Sequence, residues 1–287
     1  MTSKNYNLKL LSILFLYLLI IISLIFIYYN IRVSNIYVGE KLVDTWPSKI
    51  SSCWKNSLNK GRVGCSNKIE INEKIIIVGD SHASQLWPGL DTIYNNKYDV
   101  VLVTSELLDG GMANWFSLDQ MEFVENYVIA NEVKYFIFTM AQHHLIENKI
   151  NFINQLDRRE AKVEEAINKF LRIVNNSKVK TKFIILNDTP RLSLNLPITT
   201  CIKQFKKFNK SDCGISKADA MESRENLSLL FNSFSDGSII NYDPFNIICP
   251  KKICNIILDD ELMFIDQNHI SAYGSTLIAI DMAKILR

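Results

Sequence analysis

Between Leu10 and Tyr29 lie twenty residues without a charge, and only Ser12 and Ser23 among them are not hydrophobic. Twenty helical residues rise about 30 Å, the thickness of a bilayer's hydrocarbon core. Leu, Ile and Phe fill fifteen of the positions. Each favours insertion by about 0.3–0.6 kcal/mol, so together they drive the segment into lipid. A buried core helix is a poor alternative, because nothing on the segment gives it a polar face. A cleaved signal peptide is the competing reading. Its apolar region would span about 7–15 residues and end at a small-residue cleavage site. Here the run is longer and ends in Tyr28, Tyr29 and Asn30. The expectation is an uncleaved transmembrane signal anchor over 10–29, after a short cytoplasmic tail over 1–9. Lys4 and Lys9 in that tail favour a cytoplasmic N-terminus, although Arg32 and Lys41 beyond the span blunt the asymmetry.

This segment concentrates the apolar excess of the 287-residue chain, which is 48% apolar overall. What remains is long enough for one medium domain with a substantial core. A net charge of +2 argues against a dedicated nucleic-acid binder. A charged fraction of 22% is too ordinary for a disordered chain. The six cysteines fall into three local pairs in polar, loop-like stretches: Cys53 and Cys65, Cys201 and Cys213, Cys249 and Cys254. That arrangement points to three short disulfide loops outside the reducing cytosol. Zinc is the rival reading, but there is no Cys-x-x-Cys and no His at ligand spacing beside a pair. Six unrelated thiols in a cytosolic protein are the other alternative. The joint expectation is a single-pass protein of the inner (cytoplasmic) membrane, with its C-terminal domain extracytoplasmic (periplasmic).

Beyond a polar stalk over 30–50, the chain alternates. Apolar, β-branched runs occur at Ile75–Val78, Val100–Val103, Tyr135–Phe138, Phe183–Leu186 and Ser238–Ile240. Helical patterns lie between and after them. The clearest is Arg158–Asn176, where Val163, Ala166, Ile167, Phe170, Leu171 and Val174 repeat on one face. Met121–Asn131, Lys217–Phe234 and Ser271–Leu286 are further helical segments, the last with Ser271 placed as N-cap. Strands without polar alternation imply a parallel sheet covered on both faces. The order strand–helix–strand predicts a three-layer α/β/α open parallel sheet of flavodoxin-like type over 51–287.

Ligands of such sheets bind outside the carboxyl ends of the strands. The first such end reads Ile75-Ile-Ile-Val-Gly-Asp-Ser-His-Ala. Gly79 is expected to let the chain turn sharply there. Asp80 and Ser81 follow at a helix start, where unpaired N–H groups and the helix dipole favour negative charge. A serine hydroxyl so placed faces a partial oxyanion hole. A plainer reading is that Asp80 or Ser81 simply caps the helix. A base must come from four histidines. His82 would have to fold back awkwardly to reach its neighbour, and His143 and His144 follow the third strand. His269 sits in the only Asp-x-x-His of the chain, three residues after Asp266. A carboxylate at that spacing can fix the imidazole's tautomer and stabilise its cation.

Gly79-Asp80-Ser81-His82-Ala83 and Asp266-Gln267-Asn268-His269-Ile270-Ser271 resemble the first and last motif blocks of SGNH hydrolases. The resemblance is to the exported SGNH domain that accompanies acyltransferase-3 membrane proteins, and it extends over roughly Cys53 to Arg287. It covers a cystine before the first strand, a strand running into Asn187-Asp188-Thr189-Pro190, a cysteine pair after it, and Cys249 to Cys254 shortly before Asp266. It implies a Ser81 nucleophile, a His269 base and an Asp266 orienter, with no metal and no cofactor. It further implies transfer or removal of O-linked acyl groups, usually acetyl, on bacterial surface glycans. The chain departs from the wider family in lacking Gly-x-Asn-Asp. Gln142 or His143 after the third strand, and Gly110 or Gly111 after the second, are the candidate oxyanion donors; Gly111 and Gln142 are the residues taken forward. With one span in place of a multi-span domain, any acyl-donor module would be a separate acyltransferase-3-type protein, and the partners expected are that protein, a glycan acceptor and the membrane. A carbohydrate or small-molecule acyl esterase and a non-catalytic exported scaffold are the alternatives. Trp87, Trp115 and Tyr273 are candidates for stacking on a sugar, with core packing as their competing role.

Overall fold

The computed structural model describes residues 17–24, 70–104, 118–141, 165, 167–192, 200–201, 213–222, 239–259 and 261–286. The chain divides into two units, Met1–Val43 and Asp44–Arg287. In the first unit residues 17–24 are helical, and their side chains are exposed all round, with Tyr17 at 66% and Leu24 at 60%. Among the described residues no helix is long and apolar enough to cross a membrane. Residues 10–16 and 25–29 of the expected span lie outside the described residues, as do the stalk and the pair Cys53 and Cys65.

The second unit is built on a five-stranded sheet. β1 (Glu73–Gly79), β2 (Asp99–Thr104), β3 (Glu132–Thr139), β4 (Lys182–Leu186) and β6 (Ile239–Tyr242) run parallel in the order β2-β1-β3-β4-β6. The short β5 (Gly214–Ser216) leaves this sheet and pairs antiparallel with β7 (Ile253–Asn255). All five expected apolar runs became strands of the main sheet. The order places the first crossover on one side of β1 and the next on the other, so the strand order reverses between β1 and β3. That reversal is where a parallel sheet opens a crevice for a ligand.

Strand pleating sorts the side chains into two layers. Ile76, Val78, Val101, Val103, Phe136, Phe138, Phe183 and Ile185 form one buried cluster. It is covered by α2 (Leu118–Ala130), through Met121, Val124 and Val128, and by α3 (residues 167–175), through Ile167, Phe170, Ile173 and Val174. Ile167, Phe170 and Val174 were foreseen from the periodicity and Ile173 was not; Phe170 lies 5.2 Å from Phe136 and 5.4 Å from Phe138, ring centre to ring centre. Each such ring contributes roughly 1.5–3 kcal/mol by leaving water. The alternate residues of the strands, among them Ile75, Ile77, Val100 and Ile137, are equally buried on the opposite face. There α1 (Ser81–Tyr94) and α6 (Ala272–Met282) pack against each other, and α1 also packs on β1 and β2.

The α1–α6 contact is close because of Gly89 and Ser275. Gly89 N–H donates to Ser275 Oγ at 2.9 Å, and that hydroxyl donates onward to Leu86 O at 2.9 Å. A Cβ on Gly89 would lie 2.2 Å from Ser275 O. Tyr94 Oη adds a bond to Ala279 O at 3.0 Å. Helix α6 starts where the sequence places it, with Ser271 Oγ accepting from Gly274 N at 3.1 Å, but it ends at Met282. Of the helix expected over Lys217–Phe234, α4 (Lys217–Glu222) is described, and the remainder lies outside the described residues. A one-turn helix, α5 (Phe245–Ile248), follows β6.

Two disulfides flank the small β5–β7 sheet: Cys201–Cys213, which ends beside β5, and Cys249–Cys254, whose second half-cystine lies in β7. A hairpin of β8 (Ile257–Leu258) and β9 (Glu261–Leu262) then leads toward the last loop. Two outcomes follow. Gly89→Ala, which forces the two helices apart, is expected to cost about 1–3 kcal/mol and to lower the melting temperature by several degrees in thermal unfolding. Non-reducing peptide mapping is expected to recover Cys201–Cys213 and Cys249–Cys254 as crosslinked pairs. Their reduction should remove about 2–3 kcal/mol each, read from the denaturant midpoint.

Candidate active site

The site is assembled at the carboxyl ends of β1 and β3. At Gly79 the backbones of these strands approach so closely that a Cβ would lie 1.8 Å from Thr139 O. The expected reason for this glycine was a sharp turn, but its φ lies outside the left-handed region; it is the close approach of β3 that requires the missing side chain. The next residue, Asp80, is buried and caps α1. Its Oδ1 accepts from His82 N at 2.8 Å, and its Oδ2 accepts from Ala141 N, just beyond β3, also at 2.8 Å. Burial pushes its carboxyl above the ordinary carboxylate range, against the opposing pull of His82 and the two amides. Because Asp80 is the cap, Ser81 becomes the first residue of the helix and its hydroxyl is left for other partners. The sequence left open which of the two capped.

One partner is His269. Its Nε2 lies 2.8 Å from Ser81 Oγ, and its Nδ1 lies 2.7 Å from Asp266 Oδ2. Pairing Nδ1–H with the carboxylate leaves the Nε2 lone pair facing the serine hydroxyl, which donates to it. Asp266 also accepts from the amides of Asn268 at 2.9 Å and His269 at 2.8 Å, so its carboxylate shapes the turn as well as the imidazole. Burial works against this charge, yet the bonds from His269 and Asn268 outweigh it and hold Asp266 below the usual carboxylate range. The three residues singled out in the sequence are thus brought into one hydrogen-bonded chain, in which Ser81 and His269 are 188 residues apart.

A narrow loop carries Asp266 and His269. Phe264 and Ile270 pair as an antiparallel bridge, and Ile265 N donates to His269 O at 2.9 Å. Neighbours hold the loop from two sides. From α1, Gln85 Oε1 accepts from Ile270 N at 2.6 Å. From the segment after β4, Thr189 Oγ1 donates to Asn268 O at 2.8 Å, and Leu192 N donates to Gln267 O at 2.6 Å.

Several neighbours were not foreseen. His82 does not fold back toward Ser81 but turns inward, where its Nδ1 makes a short contact with Asp188 Oδ1. Its Nε2 lies 3.3 Å from Asn268 Nδ2, and its ring centre 5.1 Å from that of His269. Burial alone would discharge this imidazole, but Asp188, helped by Asp80 and Asp266, raises its pKa to about 9. A sequence signal existed in Asn187-Asp188-Thr189 at the end of a strand, since strand ends face the crevice. Gln85 carried no such signal beyond its place one turn after Ser81. Gly110, Gly111, Gln142, His143, His144 and Trp115 lie outside the described residues. Trp87 does not stack on a ligand: it is 3% exposed, and its Nε1–H donates to Val100 O at 3.0 Å. Tyr273 is half-buried at the start of α6. Among the described residues no cluster of three or more His, Cys, Asp or Glu could hold a metal ion.

A serine on a helix N-terminus, an imidazole on its hydroxyl and a carboxylate on the imidazole form a set competent for acyl transfer. Comparison with known proteins gives a consistent family. Residues 52–284 match the model of the SGNH domain that is fused to AT3 domains. No curated protein matches the chain. Among solved structures, the periplasmic domain of the Salmonella ser. Paratyphi A lipopolysaccharide acetyltransferase is similar over 77% of this chain and 85% of its own, at 16% identity and a TM-score of 0.56. The carbohydrate acetylesterase Est24 of Sinorhizobium meliloti is similar over 74% and 98%, at 11% identity and a TM-score of 0.43. The C-terminal catalytic domain of the Streptococcus pneumoniae peptidoglycan O-acetyltransferase OatA is similar over 75% and 93%, at 14% identity and a TM-score of 0.34. By the family match across most of its length, this chain belongs to the SGNH domain family that is fused to AT3 domains.

Proposed function

We propose that the chain is a membrane-anchored, extracytoplasmic O-acyltransferase, acting with acetyl on a bacterial surface glycan through a Ser81–His269–Asp266 acyl-enzyme mechanism. The observation that carries this reading is the unbroken hydrogen-bonded chain from Ser81 Oγ through His269 to Asp266, at 2.8 and 2.7 Å. In the first step the Ser81 oxygen bonds to the acyl carbonyl carbon while His269 Nε2 takes the hydroxyl proton. Asp266 holds the imidazolium in place. The proton passes to the departing alkoxide as the old ester bond breaks, leaving the acyl group on Ser81. In the second step His269 deprotonates a sugar hydroxyl, whose oxygen attacks the acyl carbon, and the proton passes to the Ser81 oxygen as its bond to that carbon breaks. Negative charge on the carbonyl oxygen is met by the N-terminus of α1, with Gly111 and Gln142 as the further donors of this reading.

Placement follows the sequence: a tail over 1–9, an anchor over 10–29, a stalk over 30–50 and the catalytic domain over 51–287, on the periplasmic side of the inner membrane. Two described disulfides in the domain support an oxidising compartment. Association of the family's SGNH domain with AT3 domains supports a separate multi-span protein as acyl donor. Water in place of the sugar hydroxyl would make the same site an esterase, and the test separates the two. Ser81→Ala is expected to lose labelling by a fluorophosphonate probe and to lower turnover of an activated acetyl ester at least about a thousandfold. Equal turnover and no labelling of Ser81 in the wild type would overturn the mechanism. In cells lacking the protein, mass analysis of surface glycan should show acetyl lost; acetyl gained would mean removal instead of transfer.

A further inference from the structure

His82 is the one described histidine that the proposed chemistry does not use, and it is the best buried. Its side chain is 1% exposed, and that of its partner Asp188 is 4% exposed. The pair joins three separate parts of the fold. His82 follows the nucleophile on α1, Asp188 ends the segment leaving β4, and the other ring nitrogen faces Asn268, the residue between Asp266 and His269 in the loop. Asp188 is oriented in turn by Thr189 N, which donates to its Oδ1 at 2.7 Å, and the Thr189 hydroxyl holds the backbone of the same Asn268.

Two simpler roles fit less well. A second general base would have to meet the acceptor hydroxyl, and a ring this enclosed cannot. Plain core packing would be served as well by an apolar residue, since burying an ion pair costs desolvation that hydrophobic side chains avoid. What an apolar residue could not do is present hydrogen-bonding groups to Asp188 and Asn268 at once. We propose that His82 and Asp188 form a positioning dyad, which fixes Asn268 and thereby holds the Asp266–His269 loop within reach of Ser81. This rests on the Ser81 mechanism proposed above and adds residues that act on the triad without touching the substrate.

The charge state of His82 bears on its task. The charged and titratable groups facing it are Asp188 after β4, Asp80 at the end of β1, and Asp266 and His269 in the loop. When protonated, both ring nitrogens donate, one to Asp188 and one to the Asn268 amide turned oxygen-first. When neutral, Nδ1–H still donates to Asp188 and Nε2 accepts from the Asn268 amide nitrogen. Both contacts persist, but the ion pair with Asp188 is lost and the bonding at Asn268 is reversed. Since the folded pKa is raised from 6.5 to about 9, the ion pair's contribution is complete below about pH 6.5 and is lost as the pH rises through about 9, which weakens the dyad's hold.

The experiment uses the full-length protein in detergent with 4-nitrophenyl acetate, kcat and KM being measured from pH 6 to 10 per folded molecule. Wild-type kcat should fall with a midpoint near pH 9. His82→Gln and Asp188→Asn should lower kcat about ten- to a hundredfold at pH 7, the scale of a small misplacement of reacting groups, with KM little changed and no fall near pH 9. Asn268→Ala cuts the link to the loop without disturbing the buried pair, so it decides the matter even where the other two do not fold. It should give the same loss and the same flat profile with an unchanged melting temperature. A merely structural dyad would leave Asn268→Ala with wild-type kcat and the wild-type alkaline fall, and that result would overturn the proposal. Ser81→Ala separates the two readings. If Ser81→Ala is inactive while Asn268→Ala behaves as wild type, the dyad alone fails; wild-type turnover in Ser81→Ala would overturn the mechanism and the dyad together.

Discussion

The approach of β1 and β3 at their carboxyl ends is the constraint on which the site depends. No side chain fits between Gly79 and Thr139, and Asp80 bridges the two strand ends by accepting one amide from each side. A buried carboxylate that satisfies two otherwise orphaned N–H groups is worth keeping even at the cost of its desolvation. Its geometry fixes the first turn of α1, and with it the position of Ser81. Ser81, the proposed nucleophile, is therefore placed by the sheet itself. Mobile side chains have little say in where it sits.

The second half of the site is held differently. The loop with Asp266 and His269 gains its shape from its own turn, in which one carboxylate serves two amides and an imidazole. It gains its location from Gln85, Thr189 and Leu192, which reach it from α1 and from the segment beyond β4. Asp266 stays below the ordinary carboxylate range because these bonds favour its charged form over burial. Rigid nucleophile and clamped loop meet at a single hydrogen bond between Ser81 and His269.

Much of this was legible in the sequence, for physical reasons. Strands buried on both faces write themselves as uninterrupted β-branched runs, which is why Ile75–Val78 and Phe183–Leu186 stood out. The periodicity around Ile167, Phe170 and Val174 was strong because a whole helix face is buried. Ser81, Asp266 and His269 could be singled out because local rules apply to them: a strand end, a helix start, a carboxylate one turn before an imidazole. What was missed is non-local. Nothing near His82 in the chain shows that Asp188, over a hundred residues away, will meet it, and nothing near Gln85 announces the amide of Ile270. The role of Gly79 was misjudged for the same cause, since the atom that excludes its side chain belongs to another strand. The short β5 and β7 strands carry too few residues to show a period.

The pairing of α1 with α6 has a consequence for the order in which the molecule can be made. Gly89 with Ser275, Tyr94 with Ala279, Gln85 with Ile270 and Ser81 with His269 each join the beginning of the domain to its end. Contacts so distant along the chain must close a large loop before they return any free energy, which makes their formation late. The sheet can gather with α1 against it as its strands emerge, but α1 lacks its helical partner until the last helix arrives. Ser81 and His269 come together in that same closing step, so a chain still being synthesised holds its serine with no imidazole from the last loop beside it. Under the proposed mechanism, reactivity is thereby withheld until the domain is complete.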